Sequence, residues 1–356
     1  MKTFNKLFLL TFTALLSGSI LSSCTNTNED KRVALDYGTI RATELDDIRS
    51  QAAIKYDELT SKIAHKDSFM LVVYTPGCGC WDDFAPVVTE FMNKTHCNVE
   101  YLSVYELTIQ KDQFGIYTVA SDMPSVCLFK RGQLKIQSTY GLHDKLMFKN
   151  YSHFQEFADA NIILPKMYYI DEATYDSYIS SNKEFNLYVA RKLCPDCQAL
   201  DREVLYNWSD SIEKINNNLY IFDIQSYYPT TEEDKPAYQA LKDRLGLSEE
   251  TNLTLGYSTG MVPTLQHRKG NEITDMITVL NDMPDYGGDS TKLESYFTAE
   301  RVSHMPFLKN TTLTVVLDEM ALSEEQVSGW FTGAKDAFNA QYHYPIANLF
   351  LDTYCK

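Results

Sequence analysis

The residues of this sequence best suited to chemistry are two close cysteine pairs, Cys78-Gly79-Cys80 and Cys194-Pro195-Asp196-Cys197. A dithiol exchanges with another disulfide in two steps. The first thiolate attacks to form a mixed disulfide, and the second thiol resolves it. In the second pair Cys194 would attack and Cys197 would resolve. Arg191 and Lys192 just upstream favour a Cys194 thiolate, whereas Asp196 opposes it. Zinc is the competing use of such a pair, but it needs about four ligands and no nearby His or Cys completes the set. No metal or cofactor is therefore expected. A Cys78–Cys80 bridge would close a smaller, strained ring that is easily reduced, which suits an oxidant or isomerase better than a strong reductant. Two thiolates in CxC spacing also suit copper(I), so a copper-handling chaperone stays open beside the redox reading.

The flanking segments must hold each pair at the junction of a strand and a helix. Ahead of Cys78, Phe69 to Tyr74 is a continuous apolar run short enough for a strand buried on both faces. Behind it, residues 84 to 92 have helical spacing, so Cys78 stands at a helix start, where unpaired N–H groups and the helix dipole favour a thiolate. Thr43 with Asp46, and the stripe Leu45, Ile48, Ala52, Tyr56, Leu59 and Ile63, predict an amphipathic helix before the first strand. Val99 to Val104 reads as a strand and Glu106 to Phe114 as a short helix. The same plan recurs around the second pair. Asp171 to Ile179 reads as a helix and Phe185 to Ala190 as a strand. After Cys197 a helix carries Leu200, Val204, Trp208 and Ile212 on one stripe, and the strand Leu219 to Ile224 follows.

Further along each copy, Met123-Pro124-Ser125 leads into an apolar strand and Lys130-Arg131-Gly132, and Val262-Pro263-Thr264 into Leu265 and Arg268-Lys269-Gly270. Taken with the cysteine pairs, these segments resemble the thioredoxin-like family. There the cysteine motif ends a core strand, and a cis-proline before a later strand faces it. The resemblance implies an α/β fold of two tandem thioredoxin-like domains, each a mixed central sheet flanked by helices. It also implies that Cys194, Cys197, Cys78 and Cys80 are the catalytic thiols, and that the backbones at Val262-Pro263 and Met123-Pro124 receive an extended peptide. In this register Pro86 takes the place of the family's helix-kinking proline. Trp81 stands where the family's resolving cysteine normally is, so the first copy departs from CxxC. Six residues before each first cysteine, where efficient reductants of the family carry a buried carboxylate, stand Val72 and Tyr188. A general reductase is therefore the poorer expectation. The second copy is longer between motif and proline, with the excess between Gln225 and Thr259, including one helix at Ala237 to Leu245.

At the N-terminus Lys2 and Lys6 precede the apolar run Leu7 to Leu21, too short for a bilayer span and typical of a secretory signal. Leu21-Ser22-Ser23-Cys24 resembles the lipobox of bacterial lipoproteins, which implies acylation of Cys24 and a protein lipid-anchored in the cell envelope outside the cytoplasm. The organisation expected is a signal at 1–23, a lipidated polar tether at 24–42, a CxC domain at 43–164, a CPDC domain at 165–300 and a helical extension at 301–356. In that extension Leu322 to Val327 has a capping box, and Val327, Trp330, Phe331, Ala334 and Phe338 share an apolar face. The extension should pack on the second domain or bridge both.

The chain has 356 residues, too many for one ordinary core, and 44% of them are hydrophobic, enough to fill two. A net charge of −16 excludes a general affinity for nucleic acid. The expected partners are protein thiols and disulfides or a redox protein, and a membrane through the anchor. The alternative class is a redox-silent thioredoxin-like scaffold. The remaining cysteines read as core packing at Cys127, an exposed strand entrance at Cys97 and a free or intermolecular thiol at Cys355. The histidines lack metal spacing and read as surface or hairpin residues.

Overall fold

The computed structural model describes residues 31–110, 113–143, 145–211, 215–247, 256–257, 262–278 and 344–356. The expected lipobox cysteine Cys24, the signal run and the Leu322 to Phe338 helix lie outside the described residues. The first elements are strands β1 (Val33–Ala34) and β2 (Tyr37–Ile40), then α1 (Tyr56–Ala64), β3 (Phe69–Tyr74), α2 (Gly79–Thr95), β4 (Val99–Ser103) and α3 (Val104–Gln110). There follow β5 (Ser125–Lys130), β6 (Gln133–Thr139), α4 (Tyr151–Asn161) and β7 (Ile162–Ile163). The first sheet has the order β4-β3-β5-β6, with β3 parallel to β4 and antiparallel to β5. Strand β3 is apolar throughout because both its faces are covered. Met70 and Val72 join one core cluster with Phe84, Val88 and Phe154, while Leu71 and Val73 join another with Leu59 and Leu107.

The second half runs β8 (Met167–Ile170), α5 (Glu172–Ser180), β9 (Glu184–Ala190), α6 (Pro195–Leu200), a π-turn at Asp201–Leu205, and α7 (Tyr206–Asp210). It continues through β10 (Leu219–Asp223), α8 (Lys235–Arg244), β11 (Gly256–Tyr257), β12 (Thr264–Lys269), β13 (Glu272–Thr278) and α9 (Tyr344–Tyr354). The sheet order is β11-β13-β12-β9-β10-β8-β2. Strands β8, β9 and β10 are parallel, and β12 runs antiparallel to β9 and β13. Each half thus places its cysteine motif directly after a central strand, with the proline segment leading into the neighbouring antiparallel strand. The fold is α/β and thioredoxin-like in both halves.

Three local expectations are corrected. The stripe from Leu45 to Ile63 is not one helix. Asp47 caps a single 3-10 turn at Ile48–Ser50, and α1 starts only at Tyr56, with the Glu58 side chain accepting from Lys55 N. Between them the chain is drawn out to the sheet, where Ile54 N donates to Tyr101 O. Of the stripe only Ile48 and Leu59 are buried, and Ala52 is exposed. Within residues 33 to 40, placed in the polar tether, Val33–Ala34 is buried and pairs with β7, and Tyr37–Ile40 pairs with β8. Cys97, expected at an exposed strand entrance, is buried at the end of α2.

Strand β2 crosses from the first half into the second sheet, pairing in parallel with β8 from Tyr37 opposite Met167 to Ile40 opposite Ile170. Gly38 is required there, since a Cβ would stand 2.3 Å from His96 O and 2.6 Å from the Tyr168 ring. Just before β2, the buried Asp36 carboxylate accepts from Ser68 N at 2.6 Å and from the Arg131 guanidinium at 2.7 and 2.9 Å. From the β5–β6 turn, Arg131 also reaches Tyr206 O at 2.7 Å and Asp210 at 2.8 Å, and its guanidinium lies 4.6 Å over the Tyr206 ring. The two halves are therefore fastened at the hairpin end of the first sheet. At the other end of the chain, Ala347, Phe350, Leu351 and Cys355 enter the core cluster that contains Cys194 and Cys197. Cys355 is not free at the surface: it is fully buried and accepts from the Asn186 amide at 3.3 Å.

Candidate functional site

The second dithiol sits where β9 turns into α6. Cys194 is the residue before the helix and Pro195 its first member, a position where a missing N–H costs nothing. The turn is pinned by its neighbours. Lys192 N donates to Asp223 Oδ1 at 3.1 Å, Leu193 N to Gln225 Oε1 at 3.1 Å, and the Gln198 amide to Lys192 O at 2.9 Å. Across the turn the Val262–Pro263 peptide is cis, and the Cys194 thiol points at Val262 O, 3.9 Å away. The cysteine and proline segments, 68 residues apart, therefore meet as expected.

The two thiols differ in electrostatics. The hydrogen bond from the Cys197 thiol, followed by N–H groups at the helix start, brings Cys194 down to about 6 despite partial burial and the Asp196 charge. Cys197 goes far the other way, chiefly because it is buried and then because it donates to Cys194. Arg191 N donates to the Cys197 sulfur at 3.4 Å. The pair is thus a nucleophile poised as thiolate over a thiol held protonated.

The first dithiol is built differently. Cys78 precedes α2, and its sulfur accepts from Cys80 N at 3.3 Å. Both cysteines are partly exposed. Trp81, in the position of a resolving cysteine, is buried among Tyr74, Tyr101 and Phe84, with ring centroids 5.1, 5.8 and 6.4 Å away. Cys80 consequently stays on the outer first turn of the helix, where burial and the Cys78 sulfur raise its pKa. Met123–Pro124 is cis and Met123 is fully buried. Outside the two motifs, burial pushes Cys97 and Cys355 up to about 12.

Reading the sequence missed Asp201. No carboxylate stands at Val72 or Tyr188, yet one reaches the second site from the helix, four residues after Cys197. The signal was present: Cys197, Leu200, Asp201, Val204, Leu205 and Trp208 follow one inward helical face, and Asp201 is its single acid. Its Oδ1 is enclosed beside the Tyr188 and Tyr37 hydroxyls, although the residue as a whole is half-buried. Burial raises this carboxyl to about 8.

No family model matches the sequence, and no curated protein matches it. Among solved structures it is similar to full-length ERdj5 (11% identity, TM-score 0.27, covering 68% of this chain and 29% of that one). It is also similar to the bb fragment of ERp72 (12%, 0.28, covering 70% and 96%). A third likeness is to the first two thioredoxin domains of Saccharomyces cerevisiae Eps1p (13%, 0.23, covering 66% and 93%). The chain thus spans less than a third of ERdj5 and nearly all of the two fragments. The thioredoxin-like architecture rests on the strand order and on where each motif falls in it.

Proposed function

We propose that this chain is a thiol–disulfide oxidoreductase acting on protein disulfides, with Cys194 and Cys197 as the working pair. One observation carries the reading: a thiol brought down to about 6 at a helix start, with a high-pKa thiol behind it and the Val262 carbonyl 3.9 Å in front. The Cys194 thiolate attacks one sulfur of a substrate disulfide, and the other substrate sulfur leaves as a thiolate. Cys197, once deprotonated, attacks Cys194 and expels the second substrate thiolate. Two electrons have then passed to the substrate, and Cys194 and Cys197 are joined. Run backwards, the same steps oxidise a substrate dithiol. A stabilised Cys194 thiolate favours the reduced pair, which places the site toward the oxidising or isomerising end of the scale. Leu193, 64% exposed beside Cys194, and the Tyr228 ring, 4.2 Å from the Arg191 guanidinium, offer a peptide apolar and cationic contacts.

In this reading the CxC pair is secondary, because Trp81 holds the resolving position and Cys80 lies on the outer turn. The reading includes a bacterial envelope location, with residues 1–23 as signal and Cys24 as lipid anchor. It rests on the lipobox pattern alone. Disulfide exchange with a glutathione-linked model peptide tests the assignment of roles. Cys194→Ser should abolish most of it and Cys78→Ser should lower it less; the reverse order overturns the assignment.

A further inference from the structure

We infer that Arg191, held on the Tyr228 ring at the lip of the second dithiol, selects clients by pairing with a carboxylate beside the reacting cysteine, so that acid-flanked disulfides are the preferred substrates. The inference deepens the proposed exchange reaction and rests on it. The backbone of Arg191 belongs to the thiols, since its N–H donates to the Cys197 sulfur at 3.4 Å. Its guanidinium is placed elsewhere. Cys194 is brought down chiefly by the Cys197 thiol and then by N–H groups at the start of α6, while the guanidinium lies 4.2 Å from the centre of the Tyr228 ring. A cation on which the thiolate does not chiefly depend is thus fixed beside the point of attack.

The platform that holds it is tied to the motif turn. Ile224 N donates to Ala190 O at 2.8 Å and Leu193 N to Gln225 Oε1 at 3.1 Å, which fixes the short turn Gln225–Tyr227 and with it Tyr228. Tyr238 from α8 meets the Tyr228 ring edge-on at 5.7 Å. Both tyrosines lie in the segment by which the second copy exceeds the first. An arginine ordered in advance on such a platform gives up less freedom when its planar fork takes a carboxylate.

The lip also runs against the charge of the chain, which is −16. Arg191 and the exposed Lys192 stand side by side there, and neither forms an ion pair among the described residues. Arg49, Arg131, Arg202 and Arg244, by contrast, each hold a carboxylate. Asp223, at the same turn, is engaged through its Oδ1 by Lys192 N and Gln225 N. An extended client bound against Val262 advances about 3.3 Å per residue, so an acid one or two places from its cysteine comes within reach of Arg191, three positions before Cys194. The guanidinium takes that carboxylate in a charge-assisted pair as the client docks, and a basic side chain at the same place is repelled.

The test follows, by mass spectrometry, exchange of the reduced full chain with three peptides that differ only in the residues flanking one cysteine, which are Glu, Gln or Lys. Each cysteine is blocked as a mixed disulfide with uncharged mercaptoethanol. The readout is the second-order rate constant for the Glu peptide divided by that for the Lys peptide, compared between native chain and variant, so that each peptide's own reactivity cancels. R191Q should lower this ratio ~5-fold, the scale of one exposed ion pair, and R191E should lower it further. Y228L, which keeps the charge and removes its platform, should lower it by a smaller factor. Raising salt to ~0.5 M should shrink the native ratio by screening the pair. A ratio that is the same in R191Q as in the native chain overturns the inference. So does a fall of all three rates together with the ratio kept, since that is a structural role. If R191Q does not fold, Y228L decides: a lowered ratio supports the inference and an unchanged one overturns it. A native chain inert to all three peptides overturns the exchange reading and this inference with it, whereas an active chain whose ratio R191Q leaves alone overturns this inference only.

Discussion

Removing Arg131 should unfasten the two halves, at a cost that depends on pH in a defined way. The Asp36 carboxyl it faces has no exposed side-chain surface, and burial raises this group to about 7 even with the guanidinium 2.7 Å away. R131A also loses the contacts to Tyr206 O, Ser209 and Asp210. Where Asp36 is ionised, above about pH 7, removing its partner from this buried ion pair costs about 3–5 kcal/mol, and below pH 6, where Asp36 is neutral, it costs less. A carboxyl raised in the folded state stabilises it below the unfolded pKa and loses that contribution as pH climbs through the folded value. In the native chain the loss is complete a little above pH 7. Without Arg131 the folded pKa of Asp36 moves higher, so the loss continues. The stability gap between native chain and R131A should therefore be nearly constant below pH 6 and widen above pH 7, by up to ~1.4 kcal/mol per pH unit. Urea unfolding under reducing conditions between pH 5.5 and 9 measures it. In a D36N background the gap should vary much less with pH, leaving only the smaller contribution of Asp67, which burial raises and Arg131 lowers. A gap that is flat with Asp36 present, or equally steep without it, refutes the reasoning.

Iodoacetamide should modify Cys194 in the reduced chain with a rate rising through a midpoint near pH 6, read by peptide mass spectrometry; a midpoint near 9 would contradict the electrostatics. Cys97 and Cys355 should resist modification until the protein is unfolded, because both are fully buried thiols raised to about 12. Phe350→Ala opens a cavity beneath the second motif and should cost ~3–5 kcal/mol in urea unfolding. Cys24→Ala, expressed in a bacterial host, should move the protein out of the membrane fraction or block its processing; unchanged partitioning would remove the anchor from the proposal.

The motif-bearing strands were legible because their pattern is dictated locally. Phe69 to Tyr74 has no polar face, so it can only be a strand covered on both sides, and the paired cysteine and proline segments then fix the order of the strands around it. What was not legible depends on partners far away in sequence. Tyr37–Ile40 reads as tether because four residues carry too little pattern, and only β8, beginning at Met167, makes them a strand. Asp201 went unread because an acid within an inward stripe looks like an interruption, and its enclosure is created by strands β2, β8 and β9 together. Cys355 gave no signal at all, since its burial is a property of the surface that α9 meets.

The route of β2 bears on the order in which the protein can be assembled. That strand is made first, yet its partner strand is made about 130 residues later, so it must wait while the whole first half emerges. Until then it is a sticky segment without a sheet. The converse holds for a second half cut loose after Ile163, whose β8 would end the sheet with unpaired backbone groups, an open edge prone to self-association. The natural ligand for that edge is the Tyr37–Ile40 segment itself, supplied from its own chain or from a neighbouring copy.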